Sequence, residues 1–186
     1  MMRRRDFAAL AAAAALPAAA ARAQQTQAPA GGERLVFELK DGPVTIQFLP
    51  DVAPRHVERI KLLVGRGFYD GTPFHRVIEG FMAQGGDPTG TGTGGARDLP
   101  DLPAEFTNKY RFTRGICGMA RSSNPNSANS QFFIMFGPAP SLDGQYTIWG
   151  RVVSGMEAVD KIKRGEPPNG TVRGPDRLLR ARLAAA

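Results

Sequence analysis

The sequence predicts a mainly β fold, a closed barrel of seven or eight short strands capped at its ends by two helices. Three observations carry this prediction. From residue 34 onward the apolar runs are short, they are separated by clusters of Gly, Pro and Asn, and only two stretches repeat apolar residues at helical spacing. No internal repeat interrupts the pattern.

The elements follow in order. Arg34 to Lys40 and Val44 to Leu49 are rich in strand formers and flank Asp41-Gly42-Pro43, which predicts a hairpin. Pro54 suits a first helical turn, and Val57, Ile60 and Val64 recur at helical spacing before Gly65 and Gly67, which predicts one amphipathic helix. Further strands are expected at Phe74 to Ile78, Phe81 to Gly85, Gly115 to Ala120, Gln131 to Phe136 and Tyr146 to Val153. Met156, Val159 and Ile162 share a face and predict a short second helix, and Arg177 to Leu183 can close the sheet.

The strand at 131 to 136 is apolar on both faces, because alternation separates Phe133 and Met135 from Phe132 and Ile134. One face fills the interior of a small barrel. The other is either covered by a helix or left as a hydrophobic groove, and the strand alone does not choose between them.

With 186 residues, 42% hydrophobic and 22% charged, the composition is that of one soluble domain with a substantial core. The net charge of +7 invites an acidic partner, but four arginines and one aspartate lie before position 24. Without them 20 basic residues face 16 acidic ones, scattered along the chain, so no nucleic-acid partner is expected.

Residues 1–23 have the pattern of an export signal: Arg3 to Arg5, an alanine-rich apolar stretch from Phe7 to Ala21, and Ala21-Arg22-Ala23 as a cleavage site. Arg4-Arg5-Asp6-Phe7 also fits the twin-arginine pattern, with general secretion as the alternative route. The stretch is about 15 residues against roughly 20 for a membrane span, so no span is expected after cleavage. Residues 24–33 form a polar leader, and the domain is expected over 34–186.

Other chemistries find little support. Cys117 is the only cysteine, so no intramolecular disulfide forms, and its place between Ile116 and Gly118 suggests an inert buried thiol. His56, expected on the exposed face of the first helix, and His75 lack companions at metal-ligand spacing, so no metal and no cofactor are expected. Gly90, Gly92 and Gly95 satisfy GxGxxG, yet the run continues into Ala96-Arg97-Asp98-Leu99-Pro100 instead of a helix, which predicts a surface loop and not a dinucleotide turn. No GxSxG elbow is present.

Arg76 stands apart. Its strand alternates it with Phe74 and Ile78, which sets a lone guanidinium against apolar surface without an acidic neighbour in sequence. For an isolated arginine the plain interpretation is a stem covering apolar surface with its head in water. Met82 and Gln84 share a face on the next strand, after the Glu79-Gly80 turn.

Three stretches change that weighting. FHRVIEGFMAQGGD at 74–87, MARSSNPNSANSQFFI at 119–134 and LDGQYTIWGRVVSGM at 142–156 resemble, in order, the signatures of the cyclophilin family of peptidyl-prolyl isomerases. The likeness spans nearly all of 34–186. It implies an eight-stranded antiparallel barrel with two capping helices and a substrate groove on its outside. It also implies that Arg76 is catalytic with Gln84 steadying it, and that Phe81, Met82, Phe133 and Leu142 wall a proline pocket. Gln131 matches a polar groove position, Ala120 and Arg121 match a segment whose backbone pairs with the substrate, and Tyr146 matches an aromatic wall. Arg121 replaces a frequent asparagine, Tyr146 a frequent histidine, and Ser141 a tryptophan of some members, which implies weak cyclosporin binding.

The expected activity is therefore cis-trans isomerisation of X-Pro bonds in exported polypeptides, performed by a periplasmic monomer on proline-containing segments. A proline-peptide binding module or holdase using the same groove is the rival, and a structural envelope protein a weaker third.

Overall fold

The computed structural model describes residues 33–185, so the expected signal at 1–23 and almost all of the leader lie outside the described residues. Eight strands form: β1 (Arg34–Leu39), β2 (Gly42–Phe48), β3 (Arg76–Ile78), β4 (Met82–Gly85), β5 (Ile116–Met119), β6 (Phe132–Met135), β7 (Ile148–Ser154) and β8 (Arg180–Ala184). Among the described residues two α-helices accompany them, α1 (Pro54–Gly65) and α2 (Met156–Asp160), with one 3-10 turn at Pro140–Leu142.

The strands make one sheet in the order β3-β4-β6-β5-β7-β2-β1-β8, and each pairing is antiparallel. The closed barrel expected from sequence is thereby corrected: β3 and β8 end the sheet and form no ladder with each other. Instead, the segments leading into them meet, with Gly71 N donating to Leu178 O (2.7 Å) and Leu178 N to Thr72 O (2.9 Å) around the single bridge Pro73 to Arg177. Proline has no N–H to continue such a ladder, and β3 is only three residues long. The sheet is open, curled until its flanking segments touch.

The pleat explains where the cores sit. Phe132 and Ile134 enter the main core with Phe37, Tyr69, Trp149 and the α1 side chains Val57, Ile60 and Leu63. Phe133 and Met135 face outward and join Met82, Phe112, Ile116 and Ile148 in a second cluster. Neither helix contributes to that outer cluster. Its cover is connecting chain, Phe112 before β5 and Ala139 after β6, and its rim of Phe81, Leu142 and Tyr146 is half-buried.

One local expectation is revised. His56 is fully buried, because 56, 57, 60, 63 and 64 all fall on the inward face of α1. Glu105, far along the chain, accepts the Arg55 and His56 main-chain N–H groups and His56 Nδ1 (3.2, 3.1 and 2.6 Å), capping a helix whose own N-cap Ala53 has no side-chain acceptor. The 90–95 run is a surface loop with no helix after it, as its context predicted.

Candidate active site

The site rests on cross-strand register. Arg76 of β3 stands opposite Gln84 of β4, and Gln84 opposite Phe133 of β6, so the three side chains form one row on the outer face. Ile78, Met82 and Met135 form the parallel row beside it. The β3–β4 turn places Gly80 at φ 69°, a left-handed conformation glycine adopts without strain, and brings Phe81 to the rim.

These rows border a cavity of about 180 Å³ lined by Arg76, Phe81, Met82, Gln84, Ala120, Arg121, Phe133, Leu142 and Tyr146. Every candidate substrate-contacting residue named from sequence is therefore brought together, apart from Gln131. That side chain lines a neighbouring cavity of about 590 Å³, which shares Gln84, Ala120 and Arg121 with the first and extends along Gly92 to Arg97. Met82 and Phe133 are buried at the floor, while Phe81, Leu142 and Tyr146 are half-buried at the walls. The volume suits a small apolar ring, and the guanidinium of Arg76 and the amide of Gln84 lie among its lining.

Arg76 is half-buried and held from two directions. Its Nε donates to Asn169 O at 3.0 Å and its Nη1 to Gln84 Oε1 at 3.3 Å. It makes no ion pair among the described residues, although twelve other Lys, Arg and His contacts to carboxylates do form. Gln84 Nε2 donates in turn to Gln131 Oε1 at 2.9 Å.

One position does more than resemblance alone suggested. Arg121 contributes more than backbone: its guanidinium lies 4.3 Å from the Tyr146 ring centroid and donates to the carbonyls of Gln145 (2.8 Å) and Ser122 (2.9 Å). Tyr146 meets Phe133 edge-on, centroids 5.9 Å apart at 83°. Ala120 donates its N–H to Gln131 O at 2.9 Å.

Two contributors escaped the sequence reading. Phe112 is buried and stacks on Phe133 at 5.7 Å and 28°, and Asn169 supplies the carbonyl that holds Arg76 from a loop 93 positions away. Asn169-Gly170 is legible as a turn, but no local signal marks a turn carbonyl as the partner of a distant arginine.

The arrangement holds no activated nucleophile. Cys117 is fully buried, and its burial pushes the thiol far above the usual range. Burial likewise lowers both histidines below the ordinary imidazole value, with Glu105 opposing the shift at His56 and Asp87 at His75. What the site offers is an oriented guanidinium beside an apolar pocket.

The family described as "Cyclophilin type peptidyl-prolyl cis-trans isomerase/CLD" matches residues 34–182. A Brucella abortus protein described as "Probable peptidyl-prolyl cis-trans isomerase" is 54% identical over 187 residues, covering 94% of each chain. A Dictyostelium discoideum peptidyl-prolyl cis-trans isomerase is 42% identical over 75% of this chain and 90% of its own. Among solved structures, a Cryptosporidium parvum cyclophilin determined in the presence of the dipeptide Ala-Pro aligns with a TM-score of 0.75 and 28% identity, over 82% of this chain and 99% of that one. Family match, sequence identity and shared fold thus agree over nearly all of the described residues, and the chain belongs to the cyclophilin-type peptidyl-prolyl cis-trans isomerase family.

Proposed function

We propose that this isomerase accelerates X-Pro rotation through Arg76, with the proline ring seated among Phe81, Met82, Phe133, Leu142 and Tyr146, and that its substrates are proline-containing segments of exported polypeptides. The observation that carries the catalytic part is Arg76 itself: tied by Nε and Nη1, without a carboxylate partner among the described residues, and lining the apolar cavity.

The amide resists rotation by about 18 to 20 kcal/mol because of its resonance, and no bond is broken in crossing that barrier. Twisting removes the resonance and leaves a lone pair on the prolyl nitrogen. A donor aimed there binds the twisted state more strongly than the planar one, and only such differential binding accelerates the step. One charge-assisted hydrogen bond supplies about 1.5 to 3 kcal/mol, whereas a 10⁶-fold acceleration needs about 8 kcal/mol. The pocket contributes the rest by holding the ring, excluding water from the amide and leaving the acyl side free to swing. Gln84 keeps the guanidinium in register.

Arg76→Ala tests this. The variant is expected to keep its fold by circular dichroism and lose most turnover of a proline test peptide in a protease-coupled assay. Wild-type turnover would remove Arg76 from the mechanism and favour a groove that only binds. The exported location is supported by Arg3 to Arg5, the alanine-rich stretch after them and the Ala21-Arg22-Ala23 site. Cell fractionation with N-terminal sequencing tests it: mature protein starting at Gln24 in the periplasm is expected, and unprocessed cytoplasmic protein would refute it.

A further inference from the structure

Asp87 is fully buried at the end of the run that begins with β4, and it lines neither of the two cavities at the site. Its carboxylate accepts four hydrogen bonds. Thr89 N and Thr89 Oγ1 reach Oδ1 at 2.8 and 2.7 Å, and Gly92 N and Gly94 N reach Oδ2 at 2.7 and 3.1 Å. The chain from 88 to 94 is wrapped around an internal anion. Two glycines of the loop, Gly92 and Gly94, thus cradle a carboxylate of their own chain instead of a phosphate: Gly92 sits at φ 85°, and a Cβ on Gly94 would fall 2.1 Å from Asp87 Oδ1.

The same two glycines turn their carbonyls the other way. Gly92 O and Gly94 O both accept from Gln131 Nε2, at 3.0 and 2.8 Å. Gln131 Oε1 accepts from Gln84 Nε2 at 2.9 Å, and Gln84 Oε1 accepts from Arg76 Nη1 at 3.3 Å. Every donor in this series points away from Arg76 and toward the loop. The direction is imposed from the loop end, because a flipped Gln131 amide would set its oxygen against two carbonyls and its NH₂ against that of Gln84. A flipped Gln84 would in turn meet the guanidinium with a donor. Aligned hydrogen bonds of this kind also polarise one another.

We propose that Asp87 is a positioning residue for Arg76, acting through the 88–94 loop, Gln131 and Gln84. The proposal rests on the reading of Arg76 and Gln84 as the catalytic pair. The carboxylate fixes the two glycine carbonyls, the carbonyls fix Gln131, and Gln131 fixes which end of Gln84 faces the guanidinium.

The test is a double-mutant cycle on turnover of a proline test peptide. Asp87→Asn has one acceptor oxygen where the loop uses two, and kcat is expected to fall about fivefold with KM changed less than about twofold. In a Gln84→Ala background the Asp87→Asn effect is expected to vanish, since the link is already cut, and the Arg76 Nε–H resonance is expected to shift in Asp87→Asn alone. Effects that multiply across the two backgrounds would show that Asp87 supports only the loop, and would overturn the proposal. Should Asp87→Asn fail to fold, Thr89→Ala removes one exposed donor to the carboxylate; a kcat loss of about twofold that disappears with Gln84→Ala is expected, and one that persists overturns it. Wild-type turnover in Gln84→Ala alone would overturn the catalytic reading beneath it and the proposal with it.

Discussion

Phe133 Cζ lies where a side chain on Gly118 would have to go, for a Cβ at Gly118 would fall 2.4 Å from it. The two residues are direct partners across β5 and β6. Without a side chain at 118, the Phe133 ring covers that position and Phe112 stacks on it, with its Cε1 2.8 Å from the same Cβ position. The floor of the cavity thus depends on a missing methyl group. Gly118→Ala is expected to cost about 1 to 3 kcal/mol of stability by overpacking and to raise KM for a proline peptide more than it lowers kcat. Urea unfolding with steady-state kinetics on the same preparation checks this, and unchanged values would remove Gly118 from the pocket's design.

Arg76→Lys separates charge from shape. Lysine keeps the cation but has no Nε–H for Asn169 O and no fork to span Asn169 and Gln84 together. Its activity is expected near that of Arg76→Ala, a loss of at least about tenfold in kcat/KM, equal to about 1.4 kcal/mol of transition-state binding. A lysine variant with more than half of wild-type activity would mean that a point charge suffices.

The Arg121–Tyr146 stack braces one wall of the pocket. Arg121→Ala removes a cation–π contact worth about 0.5 to 1 kcal/mol at an exposed site and frees Tyr146 to move. KM is expected to rise about two- to fivefold, with kcat nearly unchanged. Arg121→Lys, which lacks the planar guanidinium, is expected to recover only part of the loss; full recovery would assign the effect to charge alone.

Acid should weaken the fold through its two histidines. Burial lowers the folded-state pKa of His56 and His75 below the ordinary value of about 6.5. The unfolded chain therefore binds protons more readily, and unfolding free energy rises with pH across that window. The contribution is fully present above about 6.5 and is lost as pH falls from there toward the folded-state values. Urea melts between pH 7.5 and 5 are expected to show falling stability on acidification, and His56→Gln should reduce the slope. A flat or inverted profile would contradict the burial of these rings.

Much of this molecule was legible before folding was considered. Strand-forming runs, the Asp41-Gly42-Pro43 turn and the 3.6-residue spacing in α1 are local properties, and local sterics and hydrogen bonding decide them. The signature stretches similarly allowed Arg76, Gln84, Phe133 and their companions to be named by residue. Tertiary structure alone decided the rest, because the deciding contacts join residues far apart in sequence. Glu105 turns His56 inward and caps α1 from 49 positions away, and Asn169 holds Arg76 across 93. Pro73, legible as a residue but not as a bridge, meets Arg177 and leaves open the sheet that strand count alone would have closed. Arg76 shows the division most clearly: the sequence by itself marked a cation on an apolar strand, while only the antiparallel register of β3, β4 and β6 could set Gln84 and Phe133 beside it and make that cation a directed donor.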